Sequence, residues 1–300
     1  MSGCAGGPDL RRVVISADSP QYDGAFWSTW SDGQAELTSY DLTYPRYGAL
    51  RKGTAVAIFV TETFANADRI KADPGRRAPS DQFPVMKLNL IENFQTGIYD
   101  YNLQISTFVA LESVNARPAG ASVKVTWSSQ EWCGNLFKSA IFNESSIRVA
   151  SFSYFDGEAD QSTTMPYPEG GISEDALMLW ARGMARPVLK PGERKQLPMM
   201  ISLQLSRFDQ GPARWDTVEL TRSAETQNSN GIEVETYTAT VGNRSRTYLV
   251  EKAPPHRVVE YSTSDGVLAS MLASERMKYW EMNTPDGVKQ LEKLKLRSLR

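Results

Sequence analysis

The stretch FPVMKLNLIENFQTGIYDYNLQISTFVAL, Phe83–Leu111, decides the fold class. In its first half Met86, Leu88 and Leu90 alternate with Val85, Lys87 and Asn89, and from Thr96 onward the same short period continues. A period of two sends successive side chains to opposite faces, as in a strand and not a helix. Upstream, GTAVAIFVTETF (Gly53–Phe64) is a continuous apolar, β-branched run that ends in ANADRIKADPGRRAPSD, a loop by its Pro, Gly and charge content. Downstream, ASVKVTWSSQEW, SSIRVASFSYF, KQLPMMISLQLS, ARWDTVELTRSAET, IEVETYTATV and RTYLVEKA read as further strands. The last long run, HRVVEYSTSDGVLASMLASERMKYW, folds back at the turn Ser264–Gly266. Strands in succession with no helical period between them pair antiparallel. The expected fold is mainly β: a large curved antiparallel sheet, either a half-open barrel or two packed sheets.

One main α-helix is expected to pack on that sheet, over 173–185. Ser173 supplies an N-cap, Glu174 and Asp175 occupy the first turn, and Leu177, Trp180, Ala181 and Met184 form one face. Arg186-Pro187 closes it. The helix sits inside a single β-rich domain, 21–284, divisible into halves 21–168 and 188–284. Residues 285–300, TPDGVKQLEKLKLRSLR from Thr284, read as a basic C-terminal helix or tail with Val288, Leu291 and Leu294 on one side.

Charge is balanced, 33 basic residues against 35 acidic, which argues against a nucleic-acid partner. No apolar run approaches the roughly 18 residues that span a bilayer. The start, MSGCAGGPDL, places small residues before Cys4, as a bacterial lipoprotein signal does at its cleavage point. On that reading Cys4 is a lipid anchor and the protein's one link to a membrane. Residues 1–20 are then a tether, and the domain works in the bacterial cell envelope, periplasmic or anchored to the outer membrane. Cys133 is left without an intrachain disulfide partner.

The runs YDLTYPRYGALRKGTAVAIFVTE, SSQEWCG, SYFDGEAD, SEDALMLWARG and EKAPPHRVVEY, in that order, resemble an uncharacterised family of exported bacterial proteins, many of them lipoproteins. The resemblance spans roughly Phe26 to Asn283. The C-terminal third is similar to exported β-rich domains of unknown function, which implies a half-open barrel like those of periplasmic lipoprotein and lipid carriers. It implies no activity. Some members carry the label "septum formation inhibitor", but this chain has neither the alternating β-α order nor the Ser/Arg-rich phosphate-binding turn of that nucleotide pyrophosphatase family.

Three sets of residues are candidates for chemistry. Cys133 with His256, the one histidine, and Glu131 nearby in sequence would make a thiol hydrolase if they met. Against this, SSQEWCGNLF (Ser128–Phe137) also reads as a structural strand end, with Trp132 and Phe137 inward and Glu131 pairing an arginine. Asp156, Glu158 and Asp160 alternate around Gly157, a pattern that could offer oxygens to calcium although it fails the EF-hand spacing. No other cofactor is expected. Trp127, Trp132, Tyr154, Phe155 and Trp180 could line a groove for an apolar ligand or simply form core. The expected function is a non-catalytic envelope lipoprotein that binds an apolar or lipid-like molecule or another envelope component. The alternatives are an extracytoplasmic hydrolase, using Cys133 and His256 or a carboxylate pair such as Glu131 with Asp156, and a passive structural lipoprotein.

Overall fold

The computed structural model describes residues 16–209 and 211–297. Cys4 and most of the expected tether lie outside the described residues. Residues 16–20 are packed on the body: Asp18 accepts from Val188 N at 2.9 Å and pairs with Lys195, and Ser19 is buried.

Nine strands come first: β1 Ala35–Arg46, β2 Ala49–Ala65, β3 Ile70–Lys71, β4 Gln82–Thr96, β5 Tyr99–Ala110, β6 Ser122–Glu131, β7 Gly134–Phe142, β8 Ser146–Ser153 and β9 Gln161–Pro166. Seven follow: β10 Ile172–Ser173, β11 Arg194–Met200, β12 Trp215–Ser229, β13 Ile232–Val241, β14 Arg244–Glu251, β15 Val258–Thr263 and β16 Leu268–Met277. All join one sheet, ordered β10 to β16, then β1, β2, β4 and on to β9, with β3 beside β2. Every pairing is antiparallel except the short β10–β11 contact. The last strand thus closes against the first, and the two expected halves are one continuous surface.

That surface curls until its edges meet. Its edge strands, β9 and β10, are joined directly by Tyr167–Gly171. Trp215 at the start of β12 donates from Nε1 to Pro166 O of β9 at 2.9 Å, and Tyr167 stacks on the Trp215 ring at 5.8 Å. Of the two expected architectures, the half-open barrel is the one formed, with a seam held by side chains rather than by a ladder. The interior holds the main apolar cluster, to which both halves contribute: Tyr40, Phe59, Leu88 and Val125 from one, Leu220, Tyr248 and Tyr261 from the other. The middle strands are also covered outside. Phe64, Phe83 and Phe108 form one outer cluster, while Leu37, Ile58, Val60 and Leu294 form another. Burial on both faces explains why Ala55–Val60 is apolar at every position.

The expected helix is shorter and differently placed. A 3-10 turn, Glu174–Ala176, leads into α2, Leu177–Ala181, with Ser173 Oγ accepting from Asp175 N at 3.3 Å as the expected cap. It ends because Gly183, at φ +71°, turns left-handed and returns its N–H to Trp180 O at 2.9 Å. Every residue of α2 is buried, so it has no solvent face: it plugs the barrel instead of lying on the sheet. Thr107 of β5 donates to Asp175 O at 2.9 Å on one side, and Trp180 meets Tyr237 of β13 edge-on at 5.5 Å on another. Arg182 fixes the plug to β1 through a bidentate pair with buried Glu36, 2.6 and 3.0 Å, beneath the Phe59 ring at 4.2 Å.

Two short helices fall where the sequence suggested none. They are α1, Gly24–Trp30, capped by Asp23, and α3, Leu203–Phe208, capped by Ser202 in a stretch read as strand. At the C-terminus Pro285–Leu294 is a 3-10 helix, with Leu294 buried and its carbonyl accepting from Ser39 Oγ at 2.5 Å.

Candidate functional site

The structure separates the expected catalytic set. SSQEWCGNLF is a hairpin whose two-residue turn, Trp132-Cys133, joins β6 to β7. It is not a strand end. Among the described residues Glu131 pairs with no arginine; its Oε2 accepts from Cys133 N at 2.8 Å. The hydrogen bond that the thiol donates to Glu131, and then the charge of Glu131, raise the pKa of exposed Cys133, the reverse of what a thiolate nucleophile needs. His256 is exposed in the β14–β15 turn, at the other end of the barrel, where its carbonyl accepts from Arg182 Nε at 2.9 Å. The ten residues of β6 alone place the two ends on the order of 30 Å apart.

The acidic loop also fails to converge. Glu158 pairs with Arg207 at 2.9 Å, and among the described residues no three Asp, Glu, His or Cys side chains are placed to hold a metal ion. The five aromatics divide between environments. Trp127 and Trp180 are interior, Phe155 is half-buried under Arg207 at 4.9 Å, and Trp132 and Tyr154 face solvent. Phe137, expected inward, is exposed as well.

A different constellation lies inside the barrel. At the end carrying the β1–β2, β13–β14 and β15–β16 turns is a cavity of about 80 Å³. Its apolar walls include Leu88, Leu90, Ile105, Met178 and Phe208; its charged groups come from β4, β14, the plug and the β15–β16 turn, which supplies Asp265. Strand β4 supplies Glu92, which is 5% exposed and accepts from Tyr261 Oη at 2.9 Å. Burial raises the pKa of this carboxyl against the opposing Tyr261 hydrogen bond and the Arg246 charge. Strand β14 supplies Arg244 and Arg246. The plug supplies Glu174 and Asp175, which also cap α3, accepting from Ser202 N at 2.9 Å and Leu203 N at 3.2 Å. Arg246 Nε donates to Glu174 Oε1 at 2.7 Å.

An aromatic strip climbs out of this cavity. Tyr44 in the cavity wall stacks on Phe94 at 4.4 Å, Phe94 on Tyr101 at 5.2 Å, Tyr101 lies 5.9 Å from Tyr99, and Tyr99 6.3 Å from Trp132. Arg46 lies over Tyr47, Tyr101 and Phe208 at 4.5, 5.2 and 4.6 Å. The strip ends among solvent-facing apolar side chains on neighbouring turns: Tyr47, Leu50, Ile98, Trp132 at 69% exposure, and Leu268.

Sequence reasoning missed this site, although one signal was present. The inward column Met86, Leu88, Leu90 continues with Glu92 and Phe94, so a carboxylate occupies a core position. Arg246 stands likewise two residues before buried Tyr248. What brings these columns together is the β16–β1 closure.

No family model matches the chain, and no curated protein matches it. Among solved structures, the chain is similar to a β-barrel-like protein of a domain of unknown function, DUF1849, from Brucella abortus. Identity is 9%, the match covers 81% of this chain and 98% of the other, and the TM-score is 0.47.

Proposed function

We propose that this chain is a non-catalytic binding module that takes an apolar or lipid-like ligand at the mouth of its barrel. One observation carries the reading: the unbroken run of rings from Tyr44, in the cavity wall, to exposed Trp132 on the rim. The outer rings, exposed Tyr47 and Trp132 with half-buried Tyr99, give an apolar body a surface to lie on, and buried Tyr101 and Phe94 join that surface to the cavity wall. The hydrolase reading through Cys133 lacks its base, because His256 lies at the other end of the barrel. Export to a bacterial envelope, with Cys4 as lipid anchor, belongs to the same proposal and rests on MSGCAGGPDL alone.

Nile red, an uncharged dye whose emission rises in apolar surroundings, tests the reading. Saturable binding near one dye per chain is expected. Tyr47→Ser combined with Trp132→Ser should weaken it about ten-fold, since each lost ring contact is worth roughly 0.5–1.5 kcal/mol. Both residues are exposed, so the fold is not at risk. No saturable binding, or binding indifferent to both changes, would contradict the proposal.

A further inference from the structure

A broad groove lies on the outer face of the barrel, toward the end opposite the mouth. Register sets its floor: Val60 of β2, Lys87 of β4, Phe108 of β5 and Lys124 of β6 stand side by side. One wall is the β3 arm, residues 70–74. The other is Trp27 of α1 with the 3-10 turn Tyr279–Glu281. The groove holds about 930 Å³, within the roughly 300–1,000 Å³ typical of small-molecule sites.

Its charges are of both signs: Lys71, Lys87 and Lys124 against Glu62 and Asp73. Lys87 Nζ donates to Glu62 Oε1 at 3.1 Å, and both side chains are largely buried. Lys124 Nζ donates to Arg69 O at 3.0 Å. Much hydrogen-bonding capacity is left over. An ammonium carries three donors and a carboxylate about four acceptor sites, and the Lys87–Glu62 bond uses one of each. Among the described residues, Tyr279 Oη, Thr63 Oγ1 and the side chains of Lys71 and Asp73 make no hydrogen bond within the chain. The Tyr279 hydroxyl faces the charged floor: burial raises its pKa first, the Glu62 charge adds to this and Lys71 opposes it. Beside these groups stands Trp280, 43% exposed, which meets Tyr279 edge-on at 5.3 Å.

An alkyl chain laid along this floor would cover the Lys87–Glu62 pair and leave its spare donors and acceptors unmet. A simple anion would meet Glu62 and Asp73, and a simple cation the three lysines. A sugar hydroxyl both donates and accepts, so it serves ammonium and carboxylate alike. Sugar rings also carry flat C–H faces, which suit the negative face of an indole. We infer that the groove binds a neutral oligosaccharide, stacked on Trp280 and hydrogen-bonded to Lys87, Glu62 and Tyr279. This site is separate from the barrel mouth and does not depend on the ligand proposed there.

Calorimetric titration with cellotetraose, maltotetraose and N-acetylchitotetraose, beside the anionic tetragalacturonate, tests it. At least one neutral sugar should bind saturably, and more tightly than tetragalacturonate. Trp280→Ala, at an exposed ring, should weaken that binding about ten-fold or more. Tyr279→Phe keeps the ring and removes only the hydroxyl, and should weaken it about three-fold. Nile red binding at the mouth should be unchanged in both variants, and failure of the dye to bind would count against the mouth alone. Binding of no neutral sugar, or binding indifferent to Trp280→Ala, would overturn the site. Tighter binding of tetragalacturonate would overturn the neutral ligand.

Discussion

Asp175 joins the plug to α3, and its position carries an electrostatic cost. Burial, with the neighbouring Glu174 charge adding to it, raises the carboxyl pKa from 3.8 to about 6 against the opposing Ser202 hydrogen bond. The folded chain therefore keeps a proton that the unfolded chain releases between about pH 4 and 6. Stability from this residue is greatest at low pH and is lost as pH rises through that window, by up to about 3 kcal/mol for a shift near two units. Asp175→Asn, which keeps an oxygen for Leu203 N, removes this dependence. Urea midpoints between pH 4 and 7 should show the variant gaining on the parent as pH rises. Parallel profiles would contradict the buried, strained carboxyl. Glu36 and Arg182 make a different case: both side chains are almost fully buried, but each is the other's partner, and loss of either would strand a charge.

At the scale of elements, strand character could be read from alternation, and the sheet formed where alternation was clearest, in β4 and β5. The helix could be read in part: Ser173 caps as expected, but the apolar stripe continued all the way round, and an all-apolar turn belongs inside. The Trp132-Cys133 turn was not legible, because a two-residue hairpin turn usually announces itself with Asn-Gly or Asp-Gly. The close approach at Gly53 was equally hidden. It pairs with Phe94, and a Cβ there would lie 2.0 Å from Asn93 O and 2.8 Å from Phe94 Cβ. Gly53→Ala should lower stability by about 1–3 kcal/mol or more, because backbone on the neighbouring strand must shift. Gly24→Ala, in α1 with nothing within 4 Å of the new carbon, should be neutral or gain about 0.5–1 kcal/mol. Thermal unfolding of the two variants side by side would check both, and equal effects would show that β2 and β4 are not so closely apposed.

The molecule as a whole is asymmetric end to end. One end of the barrel is tied down by the plug, with Arg182 joining Glu36 and the carbonyls of Pro255 and His256. The other end holds the charged cavity, the aromatic strip and the exposed apolar turns. No single segment could disclose this, since Glu92 belongs to a strand far in the chain from those of Arg246 and Tyr261 and meets them only because β16 pairs with β1. Candidates sought by residue type, such as a cysteine with the lone histidine, fell at opposite ends for the same reason. The most direct measurement is native mass spectrometry of the protein taken gently from the cells that make it, followed by organic extraction. The expected result is an amphiphile retained at close to one per chain and lost from the Tyr47→Ser, Trp132→Ser variant. A chain of bare mass that takes up no added amphiphile would contradict a binding lumen.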